Sequence, residues 1–382
     1  MKRWLVAVLT AVMCFGAGCT NNGEEQPQVE VVKTAEEIRQ DTIQETIDSM
    51  GVEEKLGQLL MADFRNNADG SGMTALRKDV AEKIESYHLG GVILFAENLD
   101  TLEQTQRLTS DFQKVAEIPL FIGIDEEGGL VSRLNKSNIP HEDMPSPGQM
   151  KEPNEAEAAG RSIGETLASM GVNVDFAPIA DVNTNPENPV IGIRSYSDNP
   201  QKAGEMACAF IKGLQGAGVS GAVKHFPGHG DTTTDSHYGE VFVTHDMERL
   251  KTVEFVPFAK AIEEGVDLVM IGHIKTPNAT SDDLPATLSG QSIGLLRDEL
   301  NYDGVTVTDA MNMQAITQHY GAGESAVMSV LAGIDIVLMP ADLDEAYQAL
   351  LDATKEGRIS EGRLDESLHR ILGLKYDKGL LK

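Results

Sequence analysis

Residues 202–226 read KAGEMACAFIKGLQGAGVSGAVKHF. The first part, Lys202–Gly216, places apolar side chains at helical spacing, with one face oily and the other charged. Gly218 follows, where a helix ending before a strand favours glycine. Gly221–Phe226 (GAVKHF) is then a short apolar run closed by polar groups. Its apolarity is continuous rather than alternating, which suits a strand covered on both faces of a parallel sheet.

This unit recurs along the chain. Matching runs are Leu56–Phe64, Gly91–Ala96, Leu120–Asp125, Val172–Ala180, Val266–His273, Gly304–Asp309 and Ile334–Met339. With Gly221–Phe226 they make eight. Helical patterns separate them at Thr101–Glu117, Asn154–Met170 and Leu343–Glu356, and Gly90, Gly171, Gly265 and Gly333 precede strands as Gly218 does. Alternating strands and helices predict an α/β protein, and eight units predict a (β/α)8 TIM barrel. An open doubly wound sheet shares the alternation, but no Gly-rich dinucleotide loop follows the first strand. The barrel is expected to fill residues 36–382 as one catalytic domain.

The start of the chain has a different character. Lys2 and Arg3 precede an apolar run, Leu5–Phe15, too short to span a bilayer as a mature helix. Gly16-Ala17-Gly18-Cys19 follows. This resembles a bacterial lipoprotein signal, which implies removal of residues 1–18 and lipid attachment at Cys19. Residues 19–35 are mostly polar and acidic, as in a flexible tether. The expected location is extracytoplasmic, with membrane contact through the N-terminal lipid alone.

The balance of 60 Asp and Glu against 31 Lys and Arg gives a formal charge of −29. A chain this acidic has no means of replacing counterions along a nucleic-acid backbone. Three cysteines exclude a disulfide framework. Cys208 sits in the apolar helical stretch already quoted and reads as core rather than nucleophile.

In a (β/α)8 barrel the C-terminal strand ends carry the chemistry. Here those ends hold Asp63, Glu97-Asn98, Asp125-Glu126, Asp181, Lys224-His225, His273 and Asp309. Single members can be helix caps; a ring of them points to a site. The densest stretch is 224–237, KHFPGHGDTTTDSH, whose Pro227, Gly228 and Gly230 disfavour regular helix. His225, His229 and His237 raise a zinc reading, but Pro-Gly between them spoils the helical His pair. Asp235-Ser236-His237 raises a hydrolase triad, but no nucleophile elbow accompanies it. A third reading pairs Asp235 with His237, two residues apart on an extended loop. The carboxylate then orients the imidazole as a general acid and base. Asp309, at the tip of GVTVTD, supplies a nucleophile.

KHFPGHGDTTTDSH resembles the signature of bacterial β-N-acetylglucosaminidases of glycoside hydrolase family 3. EEKLGQLLMADF, GGVILF, IDEEGGLVSRL, APIADVNTNPENPVIGIRSYS, VTVTDAMNM and ISEGRLDESLHRILGLK extend the likeness from about Ile38 to Lys375. The resemblance implies that Asp309 is the nucleophile, His237 the acid/base and Asp235 its partner. It implies that Asp125, Arg133, Arg194, Lys224 and His225 bind the terminal sugar, and that His229 braces the loop. No metal and no cofactor are implied. The implied reaction is exo-acting, retaining hydrolysis of terminal β-linked GlcNAc from muropeptides such as GlcNAc-MurNAc, through a covalent glycosyl-enzyme. The alternatives are a family 3 β-glucosidase or β-xylosidase, a GlcNAc phosphorylase, and an inactive sugar-binding lipoprotein. A monomer is the expected state.

Overall fold

The computed structural model describes residues 33–381. The expected export signal, Cys19 and nearly all of the expected tether lie outside the described residues. Eight parallel strands form one sheet: β1 Leu60–Asp63, β2 Gly91–Ile93, β3 Phe121–Ile124, β4 Val174–Asp175, β5 Ser220–Phe226, β6 Leu268–Ile271, β7 Val305–Thr308 and β8 Val337–Leu338. Leu60 pairs with Val337 and Met61 with Leu338, so the first strand meets the last. A parallel bridge between Val307 and Ile336 joins β7 to β8 and completes the barrel. Each strand lies inside one of the eight expected runs, apart from β5, which starts one residue earlier, at Ser220.

The two longest runs are much shorter as strands than their apolarity predicts. In Leu56–Phe64 the first residues finish a helix, Val52–Gln58, before the chain turns extended. In Val172–Ala180 the ladder covers two residues and then breaks at Pro178, which has no N–H to donate. Beyond the proline Ala180 regains contact, its N–H donating to the Lys224 carbonyl at 2.7 Å.

The helical segments fall at Leu102–Val115, Pro153–Ser169, Pro200–Gly216 and Leu343–Lys355, within two residues of the sequence reading. Gly171, Gly218, Gly265 and Gly333 do adopt left-handed backbone before their strands. Gly90 does not. There the left-handed residue is His88, with φ of 50°. Gly90 is required for space instead: a Cβ would lie 2.1 Å from the Gln58 carbonyl oxygen.

Side chains fill the barrel interior. Gly123 leaves room for Met61 and Phe176, whose atoms would stand 2.6 and 2.8 Å from a Cβ there. The bottom of the barrel is closed by the helix Ala35–Ser49. Thr34 and Glu37 cap it reciprocally, and it buries Ile43 and Ile47. Its Arg39 forks onto Asp377 of the last helix, Glu361–Asp377, through two 2.8 Å bonds. In the same region Asp335 is fully buried and accepts from Arg297, Ser367 and the Thr306 amide at 2.7–2.9 Å, tying β7 and β8 to the final helix. No helix among the described residues is long and apolar enough to cross a membrane.

Candidate active site

A cavity of about 540 Å³ opens at the C-terminal ends of the strands. Asp125, Arg133, Arg194, Lys224, His225, His237 and Asp309 all line it. Asp235 stands behind His237. The eight expected site residues therefore converge from the ends of β3, β5 and β7 and from the loops after β3, β4 and β5.

The floor is a network of charges. Lys224 projects from β5 and is almost fully buried. Its ammonium donates to Asp125 at 2.8 Å and pairs with Glu127 at 2.7 Å. Burial works against its charge, but the carboxylates of Asp125 and Glu127 outweigh it and raise its pKa. Arg133 donates to the second oxygen of Asp125 at 3.2 Å. Arg194 grips Glu127 through two bonds, at 2.9 and 2.7 Å. Burial disfavours the Glu127 carboxylate, yet Arg194 and Lys224 hold it well below the usual carboxylate range.

The sequence reading passed over Glu127. The signal was present in IDEEGG: after a strand, residues 125 and 127 tend toward the same side, with 126 opposite. Glu126 does turn away, accepting from the amides of Arg133 and Leu134 to shape the loop. Asp181 and His273 were left out of the expected set, and both act on neighbours. Asp181 is wholly buried and accepts from the His225 ring at 2.8 Å, the His225 amide at 3.1 Å and the His229 amide at 2.6 Å. A carboxylate accepts only, so His225 Nδ1 carries the proton and Nε2 is left for the pocket. Burial lowers the pKa of His229 to about 4, which keeps its ring neutral. His229 bonds to Thr232 at 2.6 Å inside the loop, and so braces it.

Asp309 follows the last residue of β7. Its amide donates to the Ile271 carbonyl, and one carboxylate oxygen accepts from the Ala310 amide at 2.8 Å. His273 donates through Nε2 to the Ala310 carbonyl at 3.0 Å, fixing the same corner from below. Burial raises the Asp309 pKa, but the His225 and His273 rings, the Ala310 amide and Lys224 outweigh it. The net shift is downward, so this carboxylate is ionised at neutral pH.

The loop after β5 brings His237 over the cavity. Its Nδ1 donates to Asp235 at 2.7 Å, and its amide donates to the same oxygen at 2.9 Å. The ring is largely open to solvent. The Ala315 amide donates to the Ser236 carbonyl at 3.2 Å, so the loop is pinned to the segment that follows Asp309. At its base, His245 and Thr184 hold Asp231 at 2.6 and 2.8 Å. The three histidines of the zinc reading are thus committed separately: His225 to Asp181, His229 to Thr232, His237 to Asp235. A nucleophilic carboxylate, an oriented imidazole and a cluster of fixed donors for hydroxyls face one cavity. That arrangement fits displacement at a sugar carbon.

Comparison with known proteins points to one family. Residues 51–374 match the family model "Glycosyl hydrolase family 3 N terminal domain". The chain is 38% identical over 363 residues to beta-hexosaminidase A of Pseudoalteromonas piscicida, covering 84% of this chain and 60% of that one. It is 32% identical to beta-hexosaminidase LpqI of Mycobacterium tuberculosis, covering 84% and 82%. Its fold resembles a glycoside hydrolase family 3 beta-N-acetylglucosaminidase from Paenibacillus sp. str. FPU-7, with a TM-score of 0.82 at 41% identity over 87% of this chain and 63% of that one. The chain thus spans about three fifths of two of these relatives and four fifths of the third. With a family match running from the helix before β1 into the last helix, and relatives 32–38% identical over most of its length, the chain belongs to glycosyl hydrolase family 3.

Proposed function

We propose that this protein is an exo-acting, retaining β-N-acetylglucosaminidase that removes terminal β-linked GlcNAc from wall-derived glycans such as GlcNAc-MurNAc. One observation carries the reading: Asp309 and the Asp235-oriented His237 face a single sugar-sized cavity floored by Asp125, Glu127, Arg133, Arg194 and Lys224.

Asp309 attacks C1 as His237 Nε2 gives its proton to the departing glycosidic oxygen. The C1–O bond breaks and a glycosyl ester of Asp309 forms. His237, now neutral, takes a proton from water as that water attacks C1 from the vacated face; the C1–Asp309 ester bond breaks and the carboxylate is released. Two displacements retain the configuration. Asp125, pinned by Lys224 and Arg133, accepts hydrogen bonds from sugar hydroxyls. Arg194, Lys224 and His225 supply donors. The names of the relatives support GlcNAc as the sugar, and the lipoprotein-like start supports an extracytoplasmic site anchored through Cys19. Incorporation of labelled fatty acid, lost in Cys19→Ser, is the expected sign of that anchor.

The test is turnover of a chromogenic GlcNAc β-glycoside, followed by product analysis on purified muropeptides. The expected product is GlcNAc of β configuration. Inertness toward both substrates overturns the reading. A neutral imidazole repels an incoming anion less than a carboxylate does, so phosphate is a conceivable acceptor. GlcNAc 1-phosphate formed in phosphate buffer would move the assignment to a phosphorylase.

A further inference from the structure

Six large apolar side chains are prominently exposed among the described residues: Ile38, Leu130, Ile193, Tyr238, Phe242 and Leu331. Four of them, Leu130, Ile193, Tyr238 and Phe242, sit in the connections that follow β3, β4 and β5, Phe242 on a short strand, Val241–Phe242, that pairs with Ile274–Lys275. Those three strands are neighbours in the sheet, so the four residues fall on one side of the mouth. On an otherwise acidic surface, such clustering at a functional face marks a contact surface. Leu130 directly precedes the pocket-lining Val131, and Ile193 directly precedes the pocket-lining Arg194.

Tyr238 is the most informative of the four. It is 74% exposed, whereas the other described tyrosines are buried or half-buried. Its amide donates to the Asp235 carbonyl at 3.0 Å, closing a four-residue turn that also carries His237. The same turn is fixed to the Asp309 segment through Ser236 and Ala315. The ring therefore belongs to the hydrogen-bonded turn that carries His237, yet 74% of the residue is exposed. Resting on the hydrolase reading above, we infer that this rim is the subsite for the leaving sugar, with Tyr238 as its stacking platform. The proton from His237 must reach the glycosidic oxygen, so the leaving sugar lies beside His237. The residue next to His237 offers an aromatic face, which suits the apolar face of a pyranose ring. Its occupant is thus a sugar ring that presents its apolar face to Tyr238. An extended peptide would find no charged partner among these four side chains.

Three proteins are compared: wild type, Tyr238→Phe and Tyr238→Ala. Two substrates are used, β-linked GlcNAc-MurNAc disaccharide and GlcNAc β-fluoride. The fluoride has the same sugar but leaves the outer subsite empty. The readout is the ratio of kcat/KM for the disaccharide to kcat/KM for the fluoride. Tyr238→Ala is expected to lower this ratio about tenfold, mainly through KM, and Tyr238→Phe to hold it within about twofold. A ratio unmoved by Tyr238→Ala overturns the platform. So does an equal fall in the Phe variant, which would assign the effect to the hydroxyl. A wild type inert toward both substrates overturns the hydrolase reading instead, a result distinct from either. Thermal unfolding of each variant shows whether the loop keeps its fold.

Discussion

The Lys224 ammonium and the Glu127 carboxylate meet at 2.7 Å, and each side chain is no more than 2% exposed. A pair so enclosed owes its stability to completeness. Removing one charge leaves its partner desolvated and uncompensated. In Glu127→Gln, Arg194 loses its carboxylate partner and Lys224 keeps only Asp125, which it shares with Arg133. The expected loss is about 3–5 kcal/mol of unfolding free energy, together with at least about tenfold in kcat/KM. Denaturant unfolding and the chromogenic assay check the two parts. A variant within about 1 kcal/mol of wild type would show that Glu127 is not the keystone of the floor.

Asp309→Asn keeps the shape of the corner beside Ala310 and removes the nucleophile. Hydrolysis is expected to fall on the order of 10³–10⁵-fold, with the fold intact. Intact-mass measurement after trapping with a 2-fluoro sugar should show a covalent adduct in wild type and none in the variant. Retention of near-full activity would remove Asp309 from the mechanism.

His237→Ala should divide substrates by their need for a proton. An aryl leaving group departs with little help, whereas a sugar alcohol does not. The expected loss at the glycosylation step is about 10²–10⁴-fold for a disaccharide and much less for an activated aryl glycoside. Asp235→Asn should follow the same pattern more weakly, since the ring stays but loses its orienting acceptor. Equal losses on both substrates would count against the acid role.

Lys375 is buried at the bottom of the barrel. Its ammonium donates to Gln58 at 2.7 Å and to the Gly90 carbonyl at 3.1 Å, with no carboxylate in salt-bridge range among the described residues. Burial without a counter-charge lowers its pKa to about 7 from 10.5. Between those values the unfolded chain holds a proton that the folded chain has released. Stability from this group therefore grows as pH rises through that window, by up to about 1.4 kcal/mol per pH unit, and is lost as pH falls through 7. Against Lys375→Met, wild type is expected to be least favoured below pH 7 and to recover toward pH 10. Urea unfolding of both proteins across pH 6–10 checks it. A difference independent of pH would mean that the amine keeps its proton in the fold.

Much of the fold is legible in the amino-acid sequence. Continuous apolar runs ending in polar groups are the direct imprint of strands buried on both sides, and all eight were legible. So were Asp125, Lys224, His225 and Asp309, because barrel chemistry collects at strand ends, while Arg133 and Arg194 followed from the family resemblance. Less legible was whatever depends on packing between distant segments. Gly90 looked like the glycines that end helices, but its neighbour in space, Gln58, decides its role. Val172–Ala180 looked as strand-like as its peers until Pro178 removed a donor. Glu127 was hidden among three acids in a row. Alternation after the strand hints at its side, and the approach of Arg194 and Lys224, 67 and 97 residues away, sets it apart from Glu126.

The helix Ala35–Ser49 adds a directional consequence. It lies across the strand starts, where Arg39 and Ile43 share a cleft with Asp267 and Gly304, and the cavity opens at the other end. The polypeptide therefore enters the fold on the face opposite the catalytic mouth. Any support gripping the chain upstream of Lys33 holds the enzyme by its base. Long glycans could then approach the open face without passing between the enzyme and that support.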